Sequence, residues 1–202
     1  GLTAIADHMF ENCKRLTTVN FNGNSLTSIG SYSFNNCPAL TNIILPNSVT
    51  IIKDRAFKSC TLLQEVTLPI GLETIGEEAF IDCHVLASIA IPNNVKSIEN
   101  GAFVRCVALP SIDIPNNSHF TILNKDVFYG CSTITSVDIP NNVTHIDNRA
   151  FDSCVNLTTV TIPENVTTIG NGAFYKSNLN TVTIPSTVTS IGDNAFDNCN
   201  NL

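Results

Sequence analysis

Charge is scarce in this sequence. Of its 202 residues only 13% are Asp, Glu, Lys or Arg, and the formal net charge is −7. A nucleic-acid surface needs a basic stripe, so that class of partner is excluded. No stretch of about 18–20 apolar residues occurs, so no part of the chain is suited to cross a bilayer as a helix. Catalytic signatures are missing too: there is no nucleophile elbow, no H-E-x-x-H and no glycine-rich phosphate loop. No two cysteines stand at C-x₂₋₄-C spacing, the usual start of a zinc site. The expectation is a chain that is not an enzyme and carries no cofactor and no metal.

What the sequence does contain is a repeat, and self-similarity at a fixed period decides the fold before any local element does. Phenylalanine marks it at Phe10, Phe34, Phe57, Phe80, Phe103, Phe128, Phe151, Phe174 and Phe196, in steps of 24, 23, 23, 23, 25, 23, 23 and 22 residues. Only Phe21 and Phe120 lie outside this column. Three residues after each marker stand Cys13, Cys37, Cys60, Cys83, Cys106, Cys131, Cys154, then Ser177, then Cys199, which accounts for all eight cysteines. His8, His84, His119 and His145 fall at four different phases of the repeat and share no column.

Within a unit the apolar spacing changes. From Phe57 through Cys60 and Leu63 to Val66 the step is three, which predicts a 3₁₀ turn or a short ragged helix. From Val66 to Leu68 the step is two, which predicts a strand with one face inward. Pro69 ends that strand, having no N–H to give a neighbour. Leu72, Ile75 and Gly76 then predict an extended segment and another bend. One such unit buries too few side chains to offset the ordering of its backbone, so units must stack. The product expected is a solenoid over residues 1–202 of about nine coils of roughly 23 residues, with one strand per coil in a parallel sheet and short helical turns.

The pattern L-x-x-V-x-I-P followed by I-G-x-x-A-F resembles the BspA-like subfamily of leucine-rich repeats. Leu157-Thr158-Thr159-Val160-Thr161-Ile162-Pro163 and Ile169-Gly170-Asn171-Gly172-Ala173-Phe174 carry it. The resemblance implies a curved, right-handed leucine-rich-repeat superhelix with its parallel sheet on the concave face. It also implies a surface-exposed or secreted protein of a host-associated bacterium or parasitic protist, similar to adhesins, with no catalytic residues to carry over. Three coils depart from the pattern. Val19-Asn20-Phe21-Asn22 lacks the proline, two extra residues lie around Asn117-Ser118-His119-Phe120, and the coil at Ser177-Asn178-Leu179 is one residue short. These departures are expected to leave the fold intact, and the insertion, with His119 in it, is its most distinctive bump.

Gly1-Leu2-Thr3-Ala4-Ile5 begins inside a coil and Cys199-Asn200-Asn201-Leu202 stops before a strand, so a fragment without polar caps is expected, with any export signal or anchor outside it. The cysteine column places one inward thiol per coil, side by side rather than facing, which suits disulfide geometry poorly. Free buried thiols are expected. Asn116, Asn142, Asn156 and Asn165 head N-x-S/T sequons, which Asn- and Thr-rich repeats also produce by chance.

The candidate binding surface is the outward side of the strands. Its residues are Glu65, Thr67, Ser88, Ser111, Asp113, Ser136, Asp138, Thr159 and Thr161. Asp113 and Asp138 fall in one column on adjacent coils, about 5 Å apart by strand spacing, and suit a basic partner or a weak Ca²⁺. The face has no Trp, Tyr or Arg, the usual anchors of tight interfaces. The function expected is a cell-surface or secreted protein-binding module acting in adhesion or host interaction, with a host or matrix protein as partner. The rival readings are a spacer presenting another domain and an intracellular protein scaffold.

Overall fold

The computed structural model describes all 202 residues. The chain winds into a parallel β-solenoid in which successive coils stack in register. Nine phenylalanine markers bracket eight complete turns rather than nine, because the first and last markers belong to turns that the chain only partly draws. One apolar cluster of 52 buried residues runs from Ile5 to Ala195.

The strands fall into two columns, not one. The first is formed by the residues before the I-G bend: β1 (Ala4–Ile5), β2 (Ser28–Ile29), β4 (Ile51–Ile52), β6 (Thr74–Ile75), β8 (Ser97–Ile98), β9 (Ile122–Leu123), β11 (His145–Ile146), β13 (Thr168–Ile169) and β14 (Ser190–Ile191). The segment expected to be merely extended is therefore the more persistent ladder. Gly76 shows why the bend wants glycine, since a Cβ there would meet the Lys53 carbonyl carbon and the Asp54 nitrogen at 2.6 Å. The second column comes from V-x-I: β3 (Asn42–Ile44), β5 (Glu65–Thr67), β7 (Ser88–Ile89), β10 (Ser136–Asp138) and β12 (Thr159–Thr161). All pairs are parallel, with Val66 beside Ile43 and Ile89, and Val137 beside Val160.

The expected helical turns are absent; no residue is helical. The corner around each phenylalanine alternates its hydrogen bonds instead. At all eight steps between coils, the residue two before the marker, the marker, and the residue two after it donate their N–H groups to the next coil; Arg55 donates to Glu77, Phe57 to Ala79 and Ser59 to Ile81, each at 2.8 Å. The residues between them, and the one that follows, bond three back along the chain, as Lys58 does to Arg55 and Cys60 to Phe57. A donor spent on the next coil cannot serve a helix, so spacing by three here is a pleated corner. The conformation needs φ > 0 two residues either side of the marker. Fifteen non-glycine residues adopt it, among them Arg55 at 55° and Asp82 at 64°, although the left-handed region disfavours L-residues by about 1–2 kcal/mol each.

Inside the corner the marker rings stack. Neighbouring centroids lie between 5.2 Å (Phe34 and Phe57) and 5.7 Å (Phe103 and Phe128), close to parallel, within the range of favourable offset stacking. All eight cysteines are free, and all but the half-buried Cys13 are buried. The seven buried thiols donate to phenylalanine carbonyls of the preceding coil, as Cys60 does to Phe34 at 3.1 Å and Cys106 to Phe80 at 3.3 Å. Ser177, in the same slot, sets its hydroxyl 3.1 Å from Cys199 Sγ. Burial pushes the Cys60 and Cys131 thiols up to about 12, which keeps them protonated and unreactive.

The three departures from the repeat leave the solenoid standing but remove strands. Val19-Asn20-Phe21, Ser111-Ile112-Asp113 and Thr181-Val182-Thr183 are the coils without a V-x-I strand. The middle one also splits the first column: β1-β2-β4-β6-β8 form one sheet and β9-β11-β13-β14 another. Coil 107–124 is thus a seam in both strand columns. Phe120, outside the marker column, is buried there and fills the slot held by Val95 one coil earlier and Val143 one coil later; Ser118 and His119 are the two extra residues that precede it.

Candidate binding face

The outward residues of the V-x-I column form one face. Glu65 sits between Asn42 and Ser88, Thr67 beside Ile44, Ser136 beside Thr159, and Asp138 beside Thr161, whose hydroxyl donates to the Asp138 carboxylate at 3.2 Å. All nine candidate residues are exposed. Ser111 and Asp113 lie outside any strand, so the strand pairing expected of Asp113 with Asp138 does not form. The structure does bring Ser111, Asp113, Ser136 and Asp138 together around one cleft of about 380 Å³, floored by Ile112, Ile114 and Ile139. Glu65, Thr67, Ser88, Thr159 and Thr161 lie off this cleft, on either side of it. No three His, Cys, Asp or Glu side chains converge in the way a metal ion needs.

The other flank of the seam, toward the coil before, loses its pairing for a reason written in the sequence. In the V-x-I column one backbone N–H per coil reaches back to the coil before: Thr41 to Thr17, Gln64 to Thr41, Ala87 to Gln64, Thr158 to Thr135 and Asn180 to Thr158. The corresponding residue of the seam is Pro110, which has no N–H. The rung is lost, and Thr135, next in line, does not bond back to Pro110 either. Side chains hold the seam instead. Thr133 Oγ1 donates to the Val107 and Leu109 carbonyls at 2.8 and 2.7 Å, Asn124 Nδ2 donates to Ile98 at 2.7 Å, and Asn117 Nδ2 reaches Asn93 and Val95, each at 2.7 Å. Asn142, head of one sequon, spends its amide on Pro115 and Phe120.

The opposite, marker side holds the residues that the strand face lacks. Tyr32, Tyr129 and Tyr175 lie there, with Arg55, Arg105 and Arg149. They are mostly engaged with one another. Arg55 pairs with Glu77 and Glu78 at 2.9 and 2.8 Å and lies over the Tyr32 ring; its guanidinium holds the Glu78 carboxyl below the usual range. Arg105 grips Asp82 with two nitrogens, at 2.6 and 2.9 Å, and Arg149 pairs with Asp126 at 2.8 Å over Tyr129. These cations stitch coil to coil and are not free anchors.

The family model for the BspA type leucine-rich repeat region matches residues 1–92 and 73–202, in six copies. The chain belongs to the BspA-type leucine-rich repeat family. Solved structures agree on the fold. A leucine-rich repeat protein of Bacteroides ovatus is 25% identical over 93% of this chain and 61% of that one, with a TM-score of 0.67. The leucine-rich repeat protein of T. pallidum is 28% identical over 90% of this chain and 74% of its own, at 0.63. A leucine-rich cell surface protein of Faecalibacterium prausnitzii is 30% identical over 100% of this chain, at 0.61, but the match spans only 46% of its length. No curated protein matches the sequence. No helix of this BspA-type chain is long and apolar enough to cross a membrane.

Proposed function

We propose that this chain is a protein-binding module of a cell-surface or secreted protein, serving adhesion or host interaction through the exposed side of its V-x-I strands, the concave side of a right-handed superhelix. The observation that carries the proposal is the cleft between Ser111, Asp113, Ser136 and Asp138, an acid-lined opening in the middle of the face. Repeat proteins of this type bind through extended surfaces, and the Faecalibacterium relative is described as a cell surface protein. Host or matrix proteins with basic segments are the partners that fit. Multi-point contact over a rigid face supplies avidity where no deep pocket exists.

The test is binding of this chain to matrix and epithelial surface proteins at two salt concentrations, beside Asp113→Ala/Asp138→Ala. Salt-sensitive binding that the double variant loses supports the proposal. Binding that survives the variant moves the site elsewhere, and the corner at His119 is then the next place to mutate.

A second reading, a spacer that presents another domain, draws on the absence of Tyr, Trp and Arg from the strand face; it predicts no partner in the same screen. The third, an intracellular scaffold, draws on eight free thiols, which a reducing compartment preserves.

A further inference from the structure

At the seam a length of backbone has no partner. Ser111, Ile112, Asp113 and Ile114 neither donate nor accept a backbone hydrogen bond. The strands flanking them are half-paired: β7 bonds only to β5, and β10 only to β12. Regular solenoid coils leave such groups exposed only at the two ends; here they open in the middle of the molecule. An unpaired strand edge is a template for another extended chain.

We propose that the seam captures an extended, basic peptide segment of a partner protein by β-strand addition, its backbone pairing with the free groups at Ser111–Ile114 and β10, and its outward side chains lying against Asp113 and Asp138. The inference rests on the strand face being the binding face and adds the mode of recognition and the chemistry of the guest. Three features select that guest. The missing hydrogen bonds are of the backbone, so the guest supplies a backbone in strand conformation. The cleft rim bears two carboxylates and no cation, so outward-facing residues of the guest are Arg or Lys. Ile112, Ile114 and Ile139 floor the cleft, so its alternate residues are small or β-branched, as the period of a strand requires. Neither Asp113 nor Asp138 is ion-paired within the chain, whereas the acids of the marker side, Glu78, Asp82 and Asp126, each hold a cation.

The test is made on the backbone of the guest. The probe is a seven-residue peptide alternating arginine and valine, beside the same peptide with alternate backbone nitrogens methylated, which keeps charge and side chains but removes donors. The unmodified peptide is expected to bind. Methylation of the peptide should weaken binding about tenfold or more, the weight of one to two net backbone hydrogen bonds. Amide exchange at 111–114 should be fast in the free protein and slow when the unmodified peptide is present.

Equal binding of the methylated peptide, or no binding of either, overturns strand addition. That comparison does not depend on any protein variant folding. If Asp113→Asn/Asp138→Asn removes binding of a matrix protein while methylation leaves peptide binding unchanged, the strand face stands as the site and strand addition falls.

Discussion

The two sides of the coil at 107–124 meet the same irregularity and respond differently. On the strand side both ladders stop, and Thr133, Asn117 and Asn124 side chains take over. On the marker side nothing stops: Gly101, Phe103 and Arg105 still donate to Lys125, Val127 and Tyr129 at 2.8–3.0 Å, and Phe103 still stacks on Phe128. The marker side is thus the spine, and the strand side is the part free to vary. The reason is mechanical. Three inter-coil bonds, a stacked ring and a thiol bond fall within some seven residues of each corner, whereas the V-x-I strand is two or three residues long and loses its first rung to a single proline.

The largest test of that contrast is Phe103→Ala, which deletes a fully buried ring at the step where the strands give no help. It should destabilise the protein by about 3–5 kcal/mol, read by urea unfolding, whereas Ile112→Ala on the strand side of the same coil should cost distinctly less. Equal losses would mean that the seam is held by its strand side after all.

Alkali gives the next effect. Six thiols of the spine, those of Cys37, Cys60, Cys83, Cys106, Cys131 and Cys154, have pKa values raised by burial, with Cys37 pushed up to about 11 and Cys60 to about 12 from a reference of 9.0. A group whose pKa is higher when folded favours the folded state fully below its unfolded value and ceases to as pH climbs through the folded value. Unfolding free energy should therefore be level up to about pH 9 and fall between there and about pH 12. Thiol reagents should find almost nothing in the native protein at pH 8, and eight groups after denaturation without reductant. Protection that persists after denaturation would reveal bridges and break the account of the column.

The smallest effect belongs to an exposed corner. Glu73 and Lys96 interrupt a column that is otherwise threonine at Thr27, Thr50, Thr121, Thr144 and Thr167, and they pair at 2.9 Å, each nearly half exposed. Surface pairs of this kind are worth about 0–1 kcal/mol, so Glu73→Thr/Lys96→Thr should move stability by less than about 1 kcal/mol, and raised salt should erase the difference. A larger loss would show the ion pair holding the coils where threonine does elsewhere.

Much of this was legible in the residues. Phe57, Cys60, Val66 and Leu68 announced period, core and one strand column, and Pro69 its end. Ser177 marked the thiol slot as small and polar. The corner was misread because Phe57, Cys60 and Leu63 recur at the spacing of a tight helix; only the direction of the N–H groups distinguishes a pleated corner from a helix, and side-chain spacing carries no record of it. The residues on either side of the marker did carry a trace: Asn12, Asn36, Asp82, Gly130 and Asn198 are types that tolerate left-handed backbone. Two-residue strands such as Thr74–Ile75 are too short for alternation to show. At the candidate site, outward exposure followed from the strand period, but the cleft did not, because it lies where the backbone at 111–114 fails to pair with β10, and side-chain spacing carries no record of that.

The spine also has a direction. In every coil the corner amides at the marker and two residues to either side aim at the following coil, and their acceptors belong to that coil. The stack is polar, like a row of plugs each seated in the socket ahead of it. Two such stacks cannot abut through these corners about a twofold axis, since plug would meet plug and socket would meet socket. Extension by these corners is head-to-tail, the heterologous geometry that yields filaments rather than closed pairs. For a molecule assembled from interchangeable turns, that one-way grammar lets coils be gained or lost along the axis while barring the reversed partner.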